Sequence, residues 1–235
     1  MKTFEELQEI FNHALTQYSP GAEPENLLKP IQYTLRMGGK RLRPVLMLMA
    51  CEMFGGKFAE ALPAAIGIEI FHNSTLIHDD IMDEAHLHKQ WNTNTAILSG
   101  DLMIIKAYQE FNKLNGQKLQ SALSIFNKIA AQVCEGQQYD LDYESTEDIQ
   151  LSDYLKMIRL KTSVLLAGSL QIGAIIGGAN ETDAKNIYQF GENLGLAFQL
   201  QDDLLDAFGN QKSFGKKIGG DIASNKKTFL LLKSL

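Results

Sequence analysis

The sequence predicts an all-α protein, built as a single-domain helical bundle over residues 1–235. All five prolines lie between Pro20 and Pro63, and the proline-free remainder is rich in residues that favour helices. Apolar residues recur at helical spacing, whereas the strict alternation that is typical of strands is scarce. With 45% hydrophobic and 21% charged residues, the chain can bury a real core and is not disordered.

About eight helices are expected, separated by short segments rich in turn-forming residues. The first, Phe4–Tyr18, has apolar residues on one face, as an amphipathic helix does. Val45–Phe54 and much of Ala61–Ile81 are apolar nearly all round, which indicates helices inside the bundle. Breaks between helices are predicted at Ser19–Glu23, Gly38–Gly39, Gly55–Gly56, Glu84–Asn94, Asn115–Gly116, Glu144–Asp148, Gly177–Thr182 and Phe208–Gly220.

Charge, cysteine content and hydropathy limit the class of function. The net charge of −6 argues against general nucleic-acid binding, which needs a basic face, but allows a local site for an anion. Cys51 and Cys134 are too few for a disulfide framework, which favours a reducing compartment. The charged N-terminus lacks the apolar run of a secretory signal, and polar residues and glycines interrupt the apolar stretch Val164–Gly178. We therefore expect a cytoplasmic protein without stable membrane insertion.

Two copies of the pattern D-D-x-x-D, Asp79–Asp83 and Asp202–Asp206, are the strongest chemical signal in the chain. Residues four apart share a helix face, about 6 Å apart along the axis, so the outer carboxylates of each copy point together. Such crowded carboxylates suit Mg²⁺, which binds one or two carboxylates together with phosphate oxygens. The alternative is a solvated acidic face. The apolar residues before each motif favour ligands that project into a cavity instead.

Three basic segments complement the aspartates. Gly38–Pro44 opens with two glycines and carries three cations, and Arg and Lys are the residues that bind phosphate groups. Lys161 and Thr162 lie within a predicted helix. Gly215–Asp221, followed by Lys226, reads as a mobile loop that can bring lysines over a phosphate. An ordinary basic helix start would explain the first segment alone. Together with two Mg²⁺-type clusters, it indicates a diphosphate site.

Five motifs then occur in a characteristic order. They are G-G-K-R-L-R-P at 38–44, F-H-x-x-x-L-I-H-D-D-x-x-D at 71–83, K-T at 161–162, F-Q-L-Q-D-D-L-L-D at 198–206 and G-K-K-I-G-G-D-I-x-x-N-K at 215–226. This set closely resembles the trans-polyprenyl diphosphate synthases, the farnesyl, geranylgeranyl and longer-chain enzymes. The resemblance runs from about Lys29 onward. It implies the all-α isoprenoid-synthase fold around a deep cavity, three Mg²⁺ ions (with Mn²⁺ as an alternative), two substrate sites and a homodimer.

The resemblance also implies roles for individual residues. The diphosphate of isopentenyl diphosphate would be bound by Lys40, Arg43 and His72. The main Mg²⁺ ligands would be Asp79, Asp83 and Asp202, supported by Asp80, Asp203 and Asp206. The allylic diphosphate would be held by Lys161, Thr162, Gln199, Lys217 and Lys226, of which the first four would also be catalytic. A lone His on an apolar helix is usually a core residue, but His72 lies seven residues before Asp79, on the same helix face. His78 receives no role.

Two departures from the family pattern stand out. Family members carry an Arg pair shortly after the first aspartate motif. In this chain Glu84–Leu87 is followed directly by His88–Trp91, and the segment is about eight residues shorter than in the family. The family also continues through several more helices after the position of Leu235. Genuine loss of the Arg pair would put diphosphate binding and catalysis in doubt.

The implied reaction is the Mg²⁺-dependent condensation of isopentenyl diphosphate with an allylic diphosphate to a trans-polyprenyl diphosphate. Small residues at Ser74 and Thr75, with Phe71 as the next bulky side chain on that helix face, predict a geranylgeranyl or longer product. The alternative for Phe71 is ordinary core packing. The alternative functions are a class I terpene cyclase and a non-catalytic subunit of a heteromeric synthase. The intact second aspartate motif argues against both.

Overall fold

The computed structural model describes residues 1–82, 91–209 and 226–234, and within these ranges all regular structure is helical. The helices are α1 (Phe4–Gln17), α2 (Glu25–Arg36), α3 (Leu42–Met53), α4 (Phe58–Met82), α5 (Thr93–Phe111), α6 (Gly116–Ser145), α7 (Leu151–Ile158), α8 (Val164–Gly177), α9 (Glu181–Phe208) and α10 (Phe229–Ser234). A π-helical turn, Arg159–Ser163, joins α7 to α8. The all-α prediction is confirmed, and the predicted breaks within the described ranges coincide with the ends of these helices to within two residues.

Local sequence explains where α1 begins and which face it buries. The Thr3 hydroxyl accepts a hydrogen bond from the Glu6 backbone, and the Glu6 carboxylate accepts one from the Thr3 backbone, which makes a capping box. Leu7, Phe11 and Leu15 are buried, at the spacing that the sequence predicts for one helix face.

The first of two compact units comprises Met1–Ser124 and Ser169–Ala184. Its central element is α4, which packs against α3 and α5. Because α4 is apolar nearly all round, it buries residues on every side, including Ile68, Ile70 and Ile77. This long buried helix carries His72 and ends at the first aspartate motif.

The second unit comprises Ile125–Gly168 and Lys185–Leu235. Tyr154, Met157 and Ile158 of α7 form a buried cluster within it. Around them pack partly buried side chains of α6, α7, α9 and α10, namely Tyr139, Tyr143, Leu151, Leu155, Leu196, Leu200, Phe229 and Leu232. The prediction that residues 1–235 form one domain stays a prediction.

One helical stretch of the described residues, Leu151–Gly177, is long and apolar enough to cross a membrane. Its most apolar window is 67% buried inside the protein, as the core helix of a soluble protein would be. Composition alone therefore gives weak evidence for membrane insertion.

Candidate active site

The basic segment before α3 is held in a strained turn. Gly38 and Gly39 have φ angles of +83° and +138°, which glycine adopts readily. Arg41 has a φ of +51°, and a positive φ is uncommon for residues other than glycine. Its buried guanidinium offsets that cost, because Nη1 lies 2.5 Å from Glu69 Oε1 and Nη2 donates to the Leu35 carbonyl at 2.8 Å. The turn is thereby anchored to α4.

Sequence reasoning missed this buried ion pair. The available signal was Glu69, an acid within the apolar run of α4, since buried carboxylates are rare unless they are paired. The inward orientation of Arg41 determines where its neighbours Lys40 and Arg43 lie. With Arg41 turned inward, Lys40 is left exposed and Arg43 is partly buried on the first turn of α3.

The structure brings Arg43 and His72 together, with 3.0 Å between Arg43 Nη1 and His72 Nε2. Because a guanidinium can only donate, His72 Nε2 accepts, and the neutral ring carries its proton on Nδ1. Burial and then the charges of Arg43 and Arg41 hold the pKa of His72 well below its usual range. Burial also lowers the pKa of Arg43, against the opposing effect of Glu69. His72 is thus a neutral partner of a cation.

The first aspartate motif lies at the end of α4. Asp79 and Asp80 occupy its last turn and are partly buried, whereas Asp83 lies outside the described residues. The neighbouring His78 faces α5, with Nε2 3.4 Å from the Ile97 carbonyl oxygen and 3.7 Å from an Asp101 carboxylate oxygen.

The π-helical turn carries Lys161 and Thr162, and two glycines hold it. A Cβ atom at Gly136 of α6 would lie 2.3 Å from the Lys161 backbone nitrogen, and one at Gly195 of α9 would lie 2.6 Å from the Ser163 Cα. Both neighbouring helices therefore need glycine to approach the turn this closely. Single π turns inside α-helices occur often at functional sites. Sequence reasoning expected a regular helix here.

Lys161 points to α6, where its Nζ lies 2.5 Å from Asp140 Oδ2. Both side chains are partly exposed, so the ion pair is accessible to solvent. Asp140 was not among the predicted site residues, because nothing in its local sequence marks it as the partner of a lysine 21 positions away.

Thr162, Gln199, Asp203 and Tyr154 form a chain of hydrogen bonds. Thr162 Oγ1 donates to Gln199 Oε1 at 3.1 Å, Gln199 Nε2 donates to Asp203 Oδ1 at 3.1 Å, and the Tyr154 hydroxyl donates to Asp203 Oδ2. Since a carboxylate only accepts, the Gln199 amide nitrogen must face Asp203 and its oxygen must face Thr162. Asp203 therefore determines the direction of every bond in the chain.

The three aspartates of the second motif differ in environment. Asp203 is 5% exposed and both of its oxygens accept hydrogen bonds, whereas Asp202 and Asp206 are partly buried. Asp202 and Asp206 share a helix face, and Asp203 lies about 100° around the helix from Asp202. The metal role of Asp203 stays a prediction, and a metal ion would compete with two existing donors.

Comparison with known proteins identifies the family. A sequence model of the family described as polyprenyl synthetase matches residues 24–235. This chain is a polyprenyl synthetase family member. The resemblance inferred from the five motifs is confirmed, and so is the prediction of an enzyme that transfers prenyl groups.

Three similar proteins illustrate the match. The geranylgeranyl diphosphate synthase of Methanosarcina mazei is 36% identical, covering 94% of this chain and 71% of the relative. The geranylfarnesyl diphosphate synthase of Natronomonas pharaonis is 35% identical, covering 97% of this chain and 74% of the relative. A crystal structure of geranylgeranyl pyrophosphate synthase is 50% identical with a TM-score of 0.95, covering 100% of this chain and 74% of that one. The predicted isoprenoid-synthase fold is confirmed.

The carboxylates of this polyprenyl synthetase can fill only some of the coordination positions of Mg²⁺. Among the residues described, no group of three or more His, Cys, Asp or Glu side chains is placed to hold a metal ion. The carboxylates of Asp79 and Asp80 in the last turn of α4 still fit Mg²⁺, because this ion takes one or two carboxylates and completes its shell with water and phosphate oxygens. Family membership supports magnesium dependence in general. The number of ions stays a prediction.

Two lysines near the C-terminal end, Lys217 and Lys226, are predicted to hold the allylic diphosphate, and the structure describes one of them. Lys226 is partly buried just before α10, and Lys217 lies outside the described residues. The segment after the first aspartate motif, in which the family's Arg pair is expected, also falls outside the described ranges.

The three residues predicted to control product length lie on α4 of the synthetase. Phe71 and Ser74 are buried, and the Ser74 hydroxyl donates to the Phe71 carbonyl at 2.7 Å. Thr75 is partly exposed, and its hydroxyl donates to the His72 carbonyl at 2.8 Å. Of the two small side chains, Thr75 thus has more room beside it for a larger replacement.

Proposed function

We propose that this chain condenses isopentenyl diphosphate with an allylic diphosphate to give a trans-polyprenyl diphosphate of geranylgeranyl length or longer. The observation that carries the proposal is the cluster of Lys161, Thr162, Gln199 and Asp203 at the second aspartate motif. Support for the product class comes from relatives whose names are geranylgeranyl and geranylfarnesyl diphosphate synthase.

In the allylic half, the carbon–oxygen bond to diphosphate breaks and the diphosphate leaves with the electron pair. Asp79, Asp83 and Asp202 are the proposed ligands of Mg²⁺, which would supply positive charge for the departing group. Lys161 adds a side-chain cation, exchanging its contact with Asp140 for a phosphate oxygen. Lys217 and Lys226 supply further cations to the same diphosphate.

Thr162 and Gln199 act on the allylic cation that remains. Thr162 donates its only hydroxyl proton to Gln199, so the lone pairs of its oxygen are left to face other groups. An oxygen presented in this way stabilises positive charge and cannot donate to a phosphate. We therefore assign Thr162 to the cation and Lys161 to the diphosphate.

Isopentenyl diphosphate is held by Arg43, Lys40 and His72. Arg43 Nε is buried without a hydrogen-bond partner in the described ranges, so a phosphate oxygen would satisfy it. The neutral His72 ring carries its proton on Nδ1 and can donate it to the same anion. Lys40 is exposed and adds a flexible charge.

The double bond of isopentenyl diphosphate attacks the allylic cation, forming the new carbon–carbon bond. A proton then leaves the adjacent carbon and passes to the departing diphosphate, which restores a double bond and balances the charge. The product extends along α4 from Asp79 towards Phe71, past Thr75 and Ser74. The length of that path sets when growth stops.

We also propose that the enzyme is a cytoplasmic homodimer. Support for association comes from α5, where Ile97, Leu98 and Ile105 are exposed to 41%, 59% and 55%. Leu98 and Ile105 are seven residues apart and lie on one helix face. Support for the compartment comes from Cys51 and Cys134, both free thiols.

The test is an assay of the purified protein with Mg²⁺, dimethylallyl diphosphate and labelled isopentenyl diphosphate, analysed for product identity and length. A linear product of geranylgeranyl length or longer is expected, and it should vanish when Mg²⁺ is chelated. A cyclic hydrocarbon would indicate a terpene cyclase. No product without an added synthase partner would indicate a non-catalytic subunit, and either result contradicts the proposal.

A further inference from the structure

Tyr154 lies outside the set of residues that the motifs mark. It is on α7, two helical turns before Lys161, and is 3% exposed. Its ring belongs to the buried cluster of the second unit. Its hydroxyl donates to Oδ2 of Asp203, the second residue of the second aspartate motif, 49 positions away along the chain. A buried aromatic residue is thus joined directly to the proposed metal-binding helix.

Asp203 depends on its donors because its carboxylate is almost fully buried. A buried carboxylate is costly unless hydrogen bonds replace the lost water. Tyr154 satisfies one oxygen, and Gln199 satisfies the other. With both oxygens engaged, the carboxylate plane is held in one orientation. The Gln199 amide is then held with its nitrogen towards Asp203, and the Thr162 proton is drawn towards Gln199.

We propose that Tyr154 is a positioning residue for the allylic half of the site. Its hydroxyl orients Asp203, Asp203 orients the amide of Gln199, and Gln199 orients the hydroxyl of Thr162. The same bond anchors α9 to α7 beside Asp202, the neighbour of Asp203 in the chain. Tyr154 itself does not contact substrate. This inference rests on the proposed prenyl transfer, in which Thr162 and Asp202 act on the allylic substrate.

The first experiment removes only the hydroxyl, with Tyr154→Phe. Tyr139→Phe is the matched control: Tyr139 packs against the same cluster, but its hydroxyl accepts from Lys156 at 2.8 Å and takes no part in the chain. Tyr154→Phe should lower kcat about tenfold or more, as expected for losing a hydrogen bond to a charged group. The KM for isopentenyl diphosphate should stay within about twofold, because no link of the chain involves Arg43 or His72.

A double-mutant cycle tests whether the effect passes through Gln199. In a Gln199→Leu background the chain is already broken, so Tyr154→Phe should lower kcat much less than it does in the wild type. Equal effects of Tyr154→Phe in both backgrounds would show that Tyr154 acts independently of Gln199, which contradicts the proposal.

A binding measurement provides a readout that does not need turnover. Inorganic pyrophosphate and increasing Mg²⁺ are added while the melting temperature is followed. The Mg²⁺ concentration for half of the stabilisation should rise severalfold in Tyr154→Phe and stay unchanged in Tyr139→Phe. Wild-type kcat and wild-type Mg²⁺ dependence in Tyr154→Phe would overturn the proposal, as would equal losses in both variants. If the wild-type enzyme forms no prenyl product, the proposed function is contradicted. The pyrophosphate measurement would still test the role of Tyr154, because it does not depend on turnover.

Discussion

At the scale of single residues, Asp202 and Asp203 are adjacent in the chain but differ in their surroundings. Asp203 is buried and accepts from Tyr154 and Gln199, whereas Asp202 is partly buried on another face of α9. Adjacent residues on a helix point about 100° apart, so one motif can supply both a ligand and an anchor. The two aspartates should therefore respond differently to substitution.

The first prediction compares Asp202→Ala with Asp203→Ala. Asp202→Ala should lower turnover about a hundredfold or more while leaving stability nearly unchanged, because it removes a metal ligand from a cluster of like charges. Asp203→Ala should also lower the free energy of unfolding by about 1–3 kcal/mol, since it removes the acceptor of the buried Tyr154 hydroxyl and of the partly buried Gln199 amide. Denaturant unfolding beside the prenyl-transfer assay checks both. Equal loss of stability in the two variants would contradict this division of roles.

The second prediction concerns acid sensitivity. The pKa of His72 in the folded protein lies well below the ordinary value of 6.5, because of burial and the neighbouring arginines. Below about pH 6.5 the unfolded chain therefore binds a proton that the folded protein does not, and stability falls as the pH falls, by at most about 1.4 kcal/mol per pH unit. His72→Gln removes this contribution. Its unfolding free energy should depend less on pH between 6.5 and the folded-state pKa, as urea titrations at several pH values can measure.

At the scale of elements, the π-helical turn shows how packing overrides a regular pattern. Leu151–Gly177 reads as one continuous helix in the sequence. In the structure the helix changes from α to π hydrogen bonding at Arg159–Ser163, where Gly136 and Gly195 let two neighbouring helices approach the backbone. The turn places Lys161 opposite Asp140 and Thr162 opposite Gln199. Its geometry thus depends on residues from two neighbouring helices, α6 and α9.

The third prediction is that Gly195→Ala damages the turn. The new Cβ would lie 2.6 Å from the Ser163 Cα and 2.9 Å from its Oγ, and backbone cannot move aside cheaply. We expect a loss of about 1–3 kcal/mol in stability, together with lower turnover. Asn193→Ala, on an exposed position of the same helix, should change neither quantity. A fully stable and active Gly195→Ala would show that the contact relaxes easily.

The fourth prediction concerns α4 and product length. Thr75→Tyr should shorten the product towards farnesyl length, because it places a bulky ring one turn before Asp79. Ser74→Tyr should act in the same direction, but Ser74 is fully buried and the larger side chain should also destabilise the protein. Phe71→Ala should lengthen the product. Chromatography of the dephosphorylated products measures all three, and an unchanged distribution would show that this helix face does not limit growth.

At the scale of the whole molecule, the unexplained feature is the apolar surface of α5. Exposed apolar side chains grouped on one face often mark an interface. Other exposed apolar residues occur on α9, including Phe190 and Phe208. We assign dimerisation to α5, where Leu98 and Ile105 are each more than half exposed and share a face.

The fifth prediction is that Leu98→Glu weakens the dimer. A charge in an apolar interface must lose water without gaining a partner, which costs several kcal/mol. Analytical ultracentrifugation should show dissociation at concentrations at which the wild type is dimeric. Asn12→Glu, which adds the same charge at an exposed position of α1, should leave association unchanged. A wild-type protein that is monomeric throughout would refute the homodimer itself.

The sequence alone determined the all-α class, most helix boundaries and the family. These features are local: helical periodicity, turn residues and motif spacing need only a few neighbouring residues to be visible. The resemblance also grouped Arg43 with His72 and Thr162 with Gln199, and in the structure the two members of each pair are in contact.

Only the tertiary structure decided which polar groups are paired and which partners they have. Arg41 finds Glu69 at a separation of 28 positions, Lys161 finds Asp140 at 21, and Tyr154 finds Asp203 at 49. Local sequence cannot reveal such pairs, because helix packing determines which face of α9 contacts α7 and where the π-helical turn lies within Leu151–Gly177. A buried charge must be paired wherever packing places it, so its partner is a property of the fold.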